Sequence, residues 1–224
     1  MVRVTLSSGG EVPVEGVLFD NDGTLVDTRE LLLQSFRYAT RTVLGTELPD
    51  EVYLESVGTP LADQMNGFAQ TPERAAELLH VYREYNHQIH DQMIKPFPGM
   101  AEALEELSHA GVKMGVVTSK LHALAWHGLE VTGLAKYFDF LIGPDDCPEH
   151  KPAPGPVLEG CCRMNLPPAS CVYVGDSAFD MQAGNAAGTT TIAVLWGMAS
   201  RETLEAERPD IICADTGEFA KLFG

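Results

Sequence analysis

Val17-Leu18-Phe19-Asp20-Asn21-Asp22-Gly23-Thr24-Leu25 opens on three consecutive apolar residues, then sets two carboxylates two positions apart ahead of a glycine. A short apolar run bounded by a turn residue reads as a buried strand. Alternate side chains of a strand share a face, so Asp20 and Asp22 are expected to point the same way and Asn21 the other. Gly23 permits the backbone geometry of the turn that follows. Ligands of open α/β sheets bind at the carboxyl ends of strands, which makes this carboxylate pair a candidate reactive site.

On either side of this stretch, strands are predicted for Val14 to Asp20, Val112 to Thr118, Asp139 to Gly143, Cys171 to Gly175 and Thr190 to Leu195, several of them rich in β-branched residues. Amphipathic helices lie between them, for example Met100 to Ala110 with Ala101, Leu104 and Leu107 on one stripe. Strand and helix in alternation predict an α/β fold, a Rossmann-like parallel sheet covered on both faces. From Thr28 to about Lys95 only helical periodicity is found: Leu32, Phe36, Ala39 and Val43, then Leu78, Tyr82, Tyr85, Ile89 and Met93. The expected organisation is therefore a core of residues 1–27 and 96–224 interrupted by an inserted α-helical unit, residues 28–95. Pro96-Phe97-Pro98-Gly99 ends the helical unit and returns the chain to the sheet. Ahead of the first sheet strand, Val2 to Leu6 and Glu11 to Val14 flank Ser7-Ser8-Gly9-Gly10 as a small hairpin.

Charge narrows the partners. Against 15 basic residues stand 32 acidic ones, a net charge of −17. Such a field repels nucleic acid and anionic membranes, so neither is an expected partner. No run reaches the roughly 18 apolar residues of a membrane helix, and no basic segment leads into an apolar stretch at the amino terminus, so a cytoplasmic location is expected. The five cysteines form no CxxC pair and leave an odd thiol, which fits reduced cysteines. Acidity also repels anionic metabolites unless a cation or local lysines reverse the potential inside a site.

Three further clusters sit at later strand ends. Thr118-Ser119-Lys120 ends the second strand with hydroxyl and backbone donors suited to an oxyanion. Lys151-Pro152 follows the loop after the third. The fourth, Val172-Tyr173-Val174-Gly175, runs into Asp176-Ser177-Ala178-Phe179-Asp180. Parallel strands put all these ends on one side of the sheet, where residues distant in sequence meet around one ligand.

These four clusters, in this order across residues 14 to about 216, resemble the motifs of the haloacid dehalogenase superfamily of phosphohydrolases. The helical insertion resembles the cap of its phosphoglycolate phosphatase and β-phosphoglucomutase branch. Within that branch Tyr82-Arg83-Glu84-Tyr85-Asn86 with His90-Asp91, and Lys151-Pro152-Ala153-Pro154, are similar to phosphoglycolate phosphatases and the related pyrophosphatases. The resemblance implies a nucleophile, Asp20, that forms an aspartyl phosphate, and a general acid and base, Asp22. It implies Mg²⁺ held by Asp20, the backbone carbonyl of Asp22 and Asp176, with Asp180 as a further ligand or an anchor behind them. Lys151 would neutralise the nucleophile and phosphoryl oxygens, while Gly23, Thr24, Thr118, Ser119 and Lys120 bind the transferring group. One departure is Asn21, where the family usually carries an apolar residue.

The expected activity is thus a Mg²⁺-dependent phosphohydrolase on a small phosphorylated metabolite, phosphoglycolate first and pyrophosphate second, the enzyme being a monomer or homodimer. A sugar phosphomutase and a non-catalytic regulatory module are the rival readings. Gly58-Thr59-Pro60 is either a substrate-facing loop or a helix-helix turn. His87 and His90 either face one ligand or are solvated and packing residues, and His122 and His127 read as structural. Asp180 has a second plain reading, as a helix N-terminal residue stabilised by the dipole.

Overall fold

The computed structural model describes residues 2–223. The chain opens with a hairpin, β1 (Val2–Thr5) against β2 (Glu11–Val14), and enters the main sheet with β3 (Gly16–Phe19). A short β4 (Val26–Asp27) then leads into four helices: α1 (Arg29–Leu44), α2 (Asp50–Glu55), α3 (Leu61–Phe68) and α4 (Pro72–Met93). The chain comes back through β5 (Lys95–Pro96), which pairs antiparallel with β4, so the outgoing and returning strands of the helical unit lie side by side. After it come α5 (Met100–His109), β6 (Lys113–Val117), α6 (His122–Val131), β7 (Leu141–Ile142) and α7 (Gly155–Met164). The remainder is β8 (Cys171–Gly175), α8 (Ala178–Ala187), β9 (Thr190–Val194), α9 (Arg201–Ala206), β10 (Ile211–Cys213) and α10 (Thr216–Lys221).

Six parallel strands form the sheet in the order β10-β9-β8-β3-β6-β7. Chain order runs outward to one edge from β3, then restarts at β8 on its other side and runs to the opposite edge. The strand order therefore reverses between β3 and β8. Such a switch point opens a crevice beyond the carboxyl ends of its two strands, because the connecting segments leave toward opposite faces. Asp20 follows β3 and Asp176 follows β8, so both candidate carboxylates stand at that crevice.

Val17, Phe19, Val116, Val174 and Ile192 share one buried cluster, whereas Leu18, Val117 and Tyr173 share the cluster on the other face. Burial on both faces removes the polar alternation of a half-exposed strand, which is why β3 reads as an unbroken apolar run. Two strand readings need correction. The strand expected at Val14 to Asp20 divides: Val14 pairs with Val2 in the hairpin, and sheet pairing starts at Gly16. The sixth strand, β10, was not among those expected; three residues at a sheet edge between polar turns carry too little periodicity.

The four helices bury Leu33, Phe36, Ala39, Val43, Tyr53, Met65, Leu78 and Tyr82 among themselves. On α4 the buried row is Leu78, Tyr82, Asn86 and His90, each four residues from the last. The expected stripe ran through Tyr85, Ile89 and Met93, and of these Ile89 and Met93 are partly buried against the sheet's apolar cluster. Tyr85 is half-buried, stacked on the exposed Tyr38 with ring centroids 4.0 Å apart. His90 is buried while His87 is exposed, so the two histidines do not face one ligand.

Candidate active site

β3 delivers Asp20, 5% exposed, to the crevice, and the Asp20 amide donates to Val174 O of β8 at 2.9 Å, continuing the sheet past the strand. The chain then turns sharply: Asn21 O accepts from Leu25 N and Val26 N, and Gly23 adopts φ +85°. A side chain at Gly23 would run into the Asp176 carboxylate as well as straining that backbone. β3 ends at Phe19, so Asn21 and Asp22 lie in the turn and not in a strand. Asn21 Oδ1 is buried without a hydrogen-bond partner.

Lys151 reaches the same point from the loop before α7. Its ammonium donates to Asp20 Oδ1 at 2.7 Å and to Asp180 Oδ1 at 2.6 Å, and the lysine is 3% exposed. Asp180 in turn sits in the first turn of α8. Its Oδ1 also accepts from the Tyr173 hydroxyl at 2.9 Å, and its Oδ2 from Ser177 N and Ser177 Oγ at 3.0 and 2.5 Å. Ser177 and Asp180 thereby cap the helix reciprocally. Asp180 thus has hydrogen-bond donors on both oxygens, and of the two readings open for it, ligand or anchor, these bonds favour the anchor.

Asp176 accepts Thr24 Oγ1 at 3.2 Å and Met198 N at 2.8 Å, while no described side chain donates to Asp20 Oδ2. Carboxylate oxygens of Asp20, Asp176 and Asp180 lie within 4.8 Å of one another. Burial pushes the Asp20 carboxyl up, with Lys151 opposing and Asp180 adding, to about 7. Burial, then Asp20 and Asp180, drives Asp176 well above the carboxylate range. For Lys151 burial acts downward, but Asp180 and Asp20 together outweigh it and raise the ammonium well above its ordinary value. Three buried carboxylates against one ammonium leave negative charge uncompensated. A divalent cation would relieve it, and a donor set made only of oxygen suits a hard ion.

Asp22 takes a different partner. Lys120 Nζ donates to Asp22 Oδ1 at 2.9 Å. Burial acts upward on Asp22, yet Lys120 outweighs it and holds the carboxyl below its ordinary value. Lys120, expected to bind substrate, is therefore engaged with the candidate acid and base. Thr118 Oγ1 accepts the Lys120 amide at 3.2 Å, and Ser119 Oγ donates to Gly58 O at 2.5 Å. Ser119, expected to bind the transferring group, lines the cavity, and its hydroxyl joins the sheet side to the loop after α2. Gly58 itself has φ +107° and sits against Phe179 and Ser177, where a Cβ would clash. Of the two readings for Gly58-Thr59-Pro60, the position over the crevice supports the substrate-facing loop: Gly58 and Thr59 line the cavity together with Asp20 and Asp176.

That cavity measures about 470 Å³, between sheet and helices. Leu32, Phe36, Leu54 and Phe179 supply apolar wall, and Arg29, Gln64 and Asn86 supply polar groups. Gln64 Oε1 is buried without a partner, and Asn86 Nδ2 donates to Ser35 Oγ at 3.1 Å. Sequence reasoning missed Tyr173, Ser177 and Met198. Ser177 was findable, since Ser177-x-x-Asp180 has capping-box spacing; Tyr173 reads only as a strand residue, and Met198 acts through its backbone.

The family model for haloacid dehalogenase-like hydrolases matches residues 17–194. A provisionally named pyrophosphatase PpaX of Caldanaerobacter subterraneus subsp. tengcongensis is 36% identical over 209 residues, covering 93% of this chain and 94% of the relative. Pyrophosphatase PpaX of Bacillus velezensis is 34% identical over 211 residues, covering 94% and 97%. Among solved structures, a haloacid dehalogenase-like family hydrolase of Streptococcus pneumoniae superposes with TM-score 0.83 at 25% identity, covering 94% of this chain and 99% of that one. A protein of Haemophilus somnus, whose description as a phosphoglycolate phosphatase is itself a prediction, superposes with TM-score 0.85 at 24% identity and covers 94% and 98%, a likeness of fold.

Proposed function

The chain is an enzyme of the haloacid dehalogenase-like hydrolase family, and from that premise we propose that it is a Mg²⁺-dependent phosphohydrolase of a small phosphorylated metabolite. The observation that carries this is the pairing at the switch point: Asp20 held by Lys151 at 2.7 Å with its Oδ2 left for attack. An Asp20 oxygen bonds to phosphorus as the bond to the leaving oxygen breaks; Asp22, ionised beside Lys120 in the free site, takes up a proton as the anionic substrate enters next to it and passes that proton to the leaving oxygen. Asp22, now ionised, takes a proton from water as the water attacks the aspartyl phosphate. Inorganic phosphate leaves and Asp20 is regenerated. Lys151 offsets negative charge on Asp20 and the transferring oxygens, and Thr118 supplies a hydroxyl at the cavity wall. Asp20, Asp176 and the backbone carbonyl of Asp22 would hold Mg²⁺, which when bound neutralises phosphoryl charge. Asp180 anchors Lys151.

Residues 28–95 act in this reading as a cap over a core of residues 1–27 and 96–224, closing the crevice against bulk water. Among the described residues no helix is long and apolar enough to cross a membrane. Arg29 in the wall can pair with a carboxylate, and Leu32, Phe36 and Leu54 beside it can take a carbon skeleton, which together favour an organic leaving group that carries a carboxylate, such as that of 2-phosphoglycolate, over a second phosphate. Pyrophosphate is the second reading, supported by the names of the relatives above 30% identity. A panel of 2-phosphoglycolate, pyrophosphate and hexose phosphates, assayed for phosphate release with Mg²⁺ and with Asp20→Asn as control, tests the assignment. Release that persists in Asp20→Asn would sink the covalent mechanism. Conversion of a hexose phosphate to its isomer without release would make the enzyme a mutase.

A further inference from the structure

His90 and Asp91 lie in the last turn of α4, immediately before β5 returns the chain to the sheet, and His127 lies on α6 on the sheet side. His90 Nδ1 is 2.8 Å from Asp91 Oδ1, and His127 Nε2 is 2.9 and 3.1 Å from the two Asp91 oxygens. The three ligand atoms lie within 4.8 Å of one another. This cluster is separate from the carboxylates at the switch point, and nothing in the proposed hydrolysis uses it.

We propose that His90, Asp91 and His127 form a second cation site, for a borderline-soft divalent ion such as Zn²⁺, that ties α4 to α6 across the joint between the helical unit and the sheet. Two imidazole nitrogens and a carboxylate with room for water make a donor set that zinc accepts in tetrahedral geometry. Mg²⁺ demands oxygen ligands and leaves such a site alone, so the two centres sort ions by donor chemistry. The ligands are pre-assembled: His90 is 1% exposed and its ring is held in the helix packing. His90 Nε2 is buried with no partner, so the polar contacts of the ring all fall on the Asp91 side. Ligation through Nδ1 places the ring proton on that unpartnered Nε2, which sets the affinity below that of a closed structural zinc site. Asp91 and His127, about half exposed, leave the site open to solvent ions.

An ion here links residues 36 apart in the chain. It would restrain separation of α4 from α6 and slow each cycle of opening that substrate entry and product release need.

Co²⁺ is the probe, because its visible bands report four-coordinate ligation without any assay of turnover. In the full-length Asp176→Asn chain, where the oxygen site is impaired, titration in excess Mg²⁺ is expected to give one equivalent of four-coordinate Co²⁺, displaced by Zn²⁺. Adding His127→Ala, a change at an exposed residue, is expected to weaken that binding by at least about tenfold, and Asp91→Asn by a similar factor. In the otherwise native chain Zn²⁺ lowers kcat, and His127→Ala removes that inhibition while keeping activity in Mg²⁺ alone. Equal Co²⁺ affinity with and without His127, or loss of all binding in Asp176→Asn, overturns the site.

Discussion

Asp180 Oδ1 lies 2.6 Å from Lys151 Nζ, and both residues are buried, so a carboxylate from the helix after β8 sets the position of the ammonium that faces Asp20. Because Ser177 caps the same carboxylate from its other oxygen, the helix start, the anchor and the lysine form one rigid unit.

This arrangement separates Asp180 from Asp176 in a way kinetics can read. Asp180→Asn is expected to lower kcat by on the order of a hundredfold, since the loosened Lys151 no longer holds charge at the nucleophile, while the Mg²⁺ concentration for half-maximal rate changes little. Asp176→Asn is expected to raise that Mg²⁺ requirement by tenfold or more. Equal shifts in Mg²⁺ requirement would return Asp180 to the ligand set.

Metal-free stability should depend on pH through Asp20 and Asp176. A carboxyl whose folded pKa is raised binds protons more tightly folded than unfolded. Its contribution is therefore fully present below the unfolded value near 3.8 and is lost as pH rises through the folded value, about 7 for Asp20. For Asp20 alone this is on the order of 4 kcal/mol. Mg²⁺ offsets the same charge, so its stabilising effect on Tm is expected to grow as pH rises through about 7. Thermal scans with and without Mg²⁺ across that range check it; a Tm increment independent of pH would contradict the charge balance.

Lys120 holds Asp22 below its ordinary pKa. Replacing it in Lys120→Met leaves burial opposed only by the side chains of Asn21 and Thr28, so Asp22 retains its proton to higher pH. The alkaline limb of kcat/KM, for a substrate whose leaving oxygen needs that proton, is expected to move upward while the absolute rate falls. Profiles that superpose after scaling would show that Asp22 is not the donor.

Closure is expected to depend on Ser119 and Gly58, joined at 2.5 Å across the crevice. Ser119→Ala removes one partly buried hydrogen bond, about 1 kcal/mol, so kcat/KM is expected to fall roughly fivefold with Mg²⁺ affinity intact. Gly58→Ala combines a positive φ with a clash against Phe179 and Ser177 and is expected to cost more than tenfold. An unchanged kcat/KM in both would remove the loop from the catalytic cycle.

The strand runs, the helical insertion and the four motif clusters are legible along the chain because each rests on local causes: apolar periodicity, turn residues and short spacing. β3 shows this well, since burial on both faces writes itself as Val17-Leu18-Phe19. The partnerships are not legible. Lys120 and Lys151 look alike in their motifs, yet one pairs with Asp22 and the other with Asp20 and Asp180. The alternation expected for Asn21 and Asp22 was carried past Phe19, where the strand ends and the turn begins. On α4, Asn86 and His90 occupy buried positions that their polarity disguises.

Local sequence was thus enough for the fold class and for which residues gather at the sheet edge, since parallel strands send every carboxyl end to the same side. Which lysine meets which carboxylate, that Asp180 accepts hydrogen bonds on both oxygens, and that Ser119 faces Gly58 followed only from the packed chain. Those contacts join residues as much as 131 positions apart, and their distances come from how sheet, helices and loops settle together. The charge on each group was decided there too, because burial and neighbouring charges, which no spacing in the sequence encodes, set the pKa values.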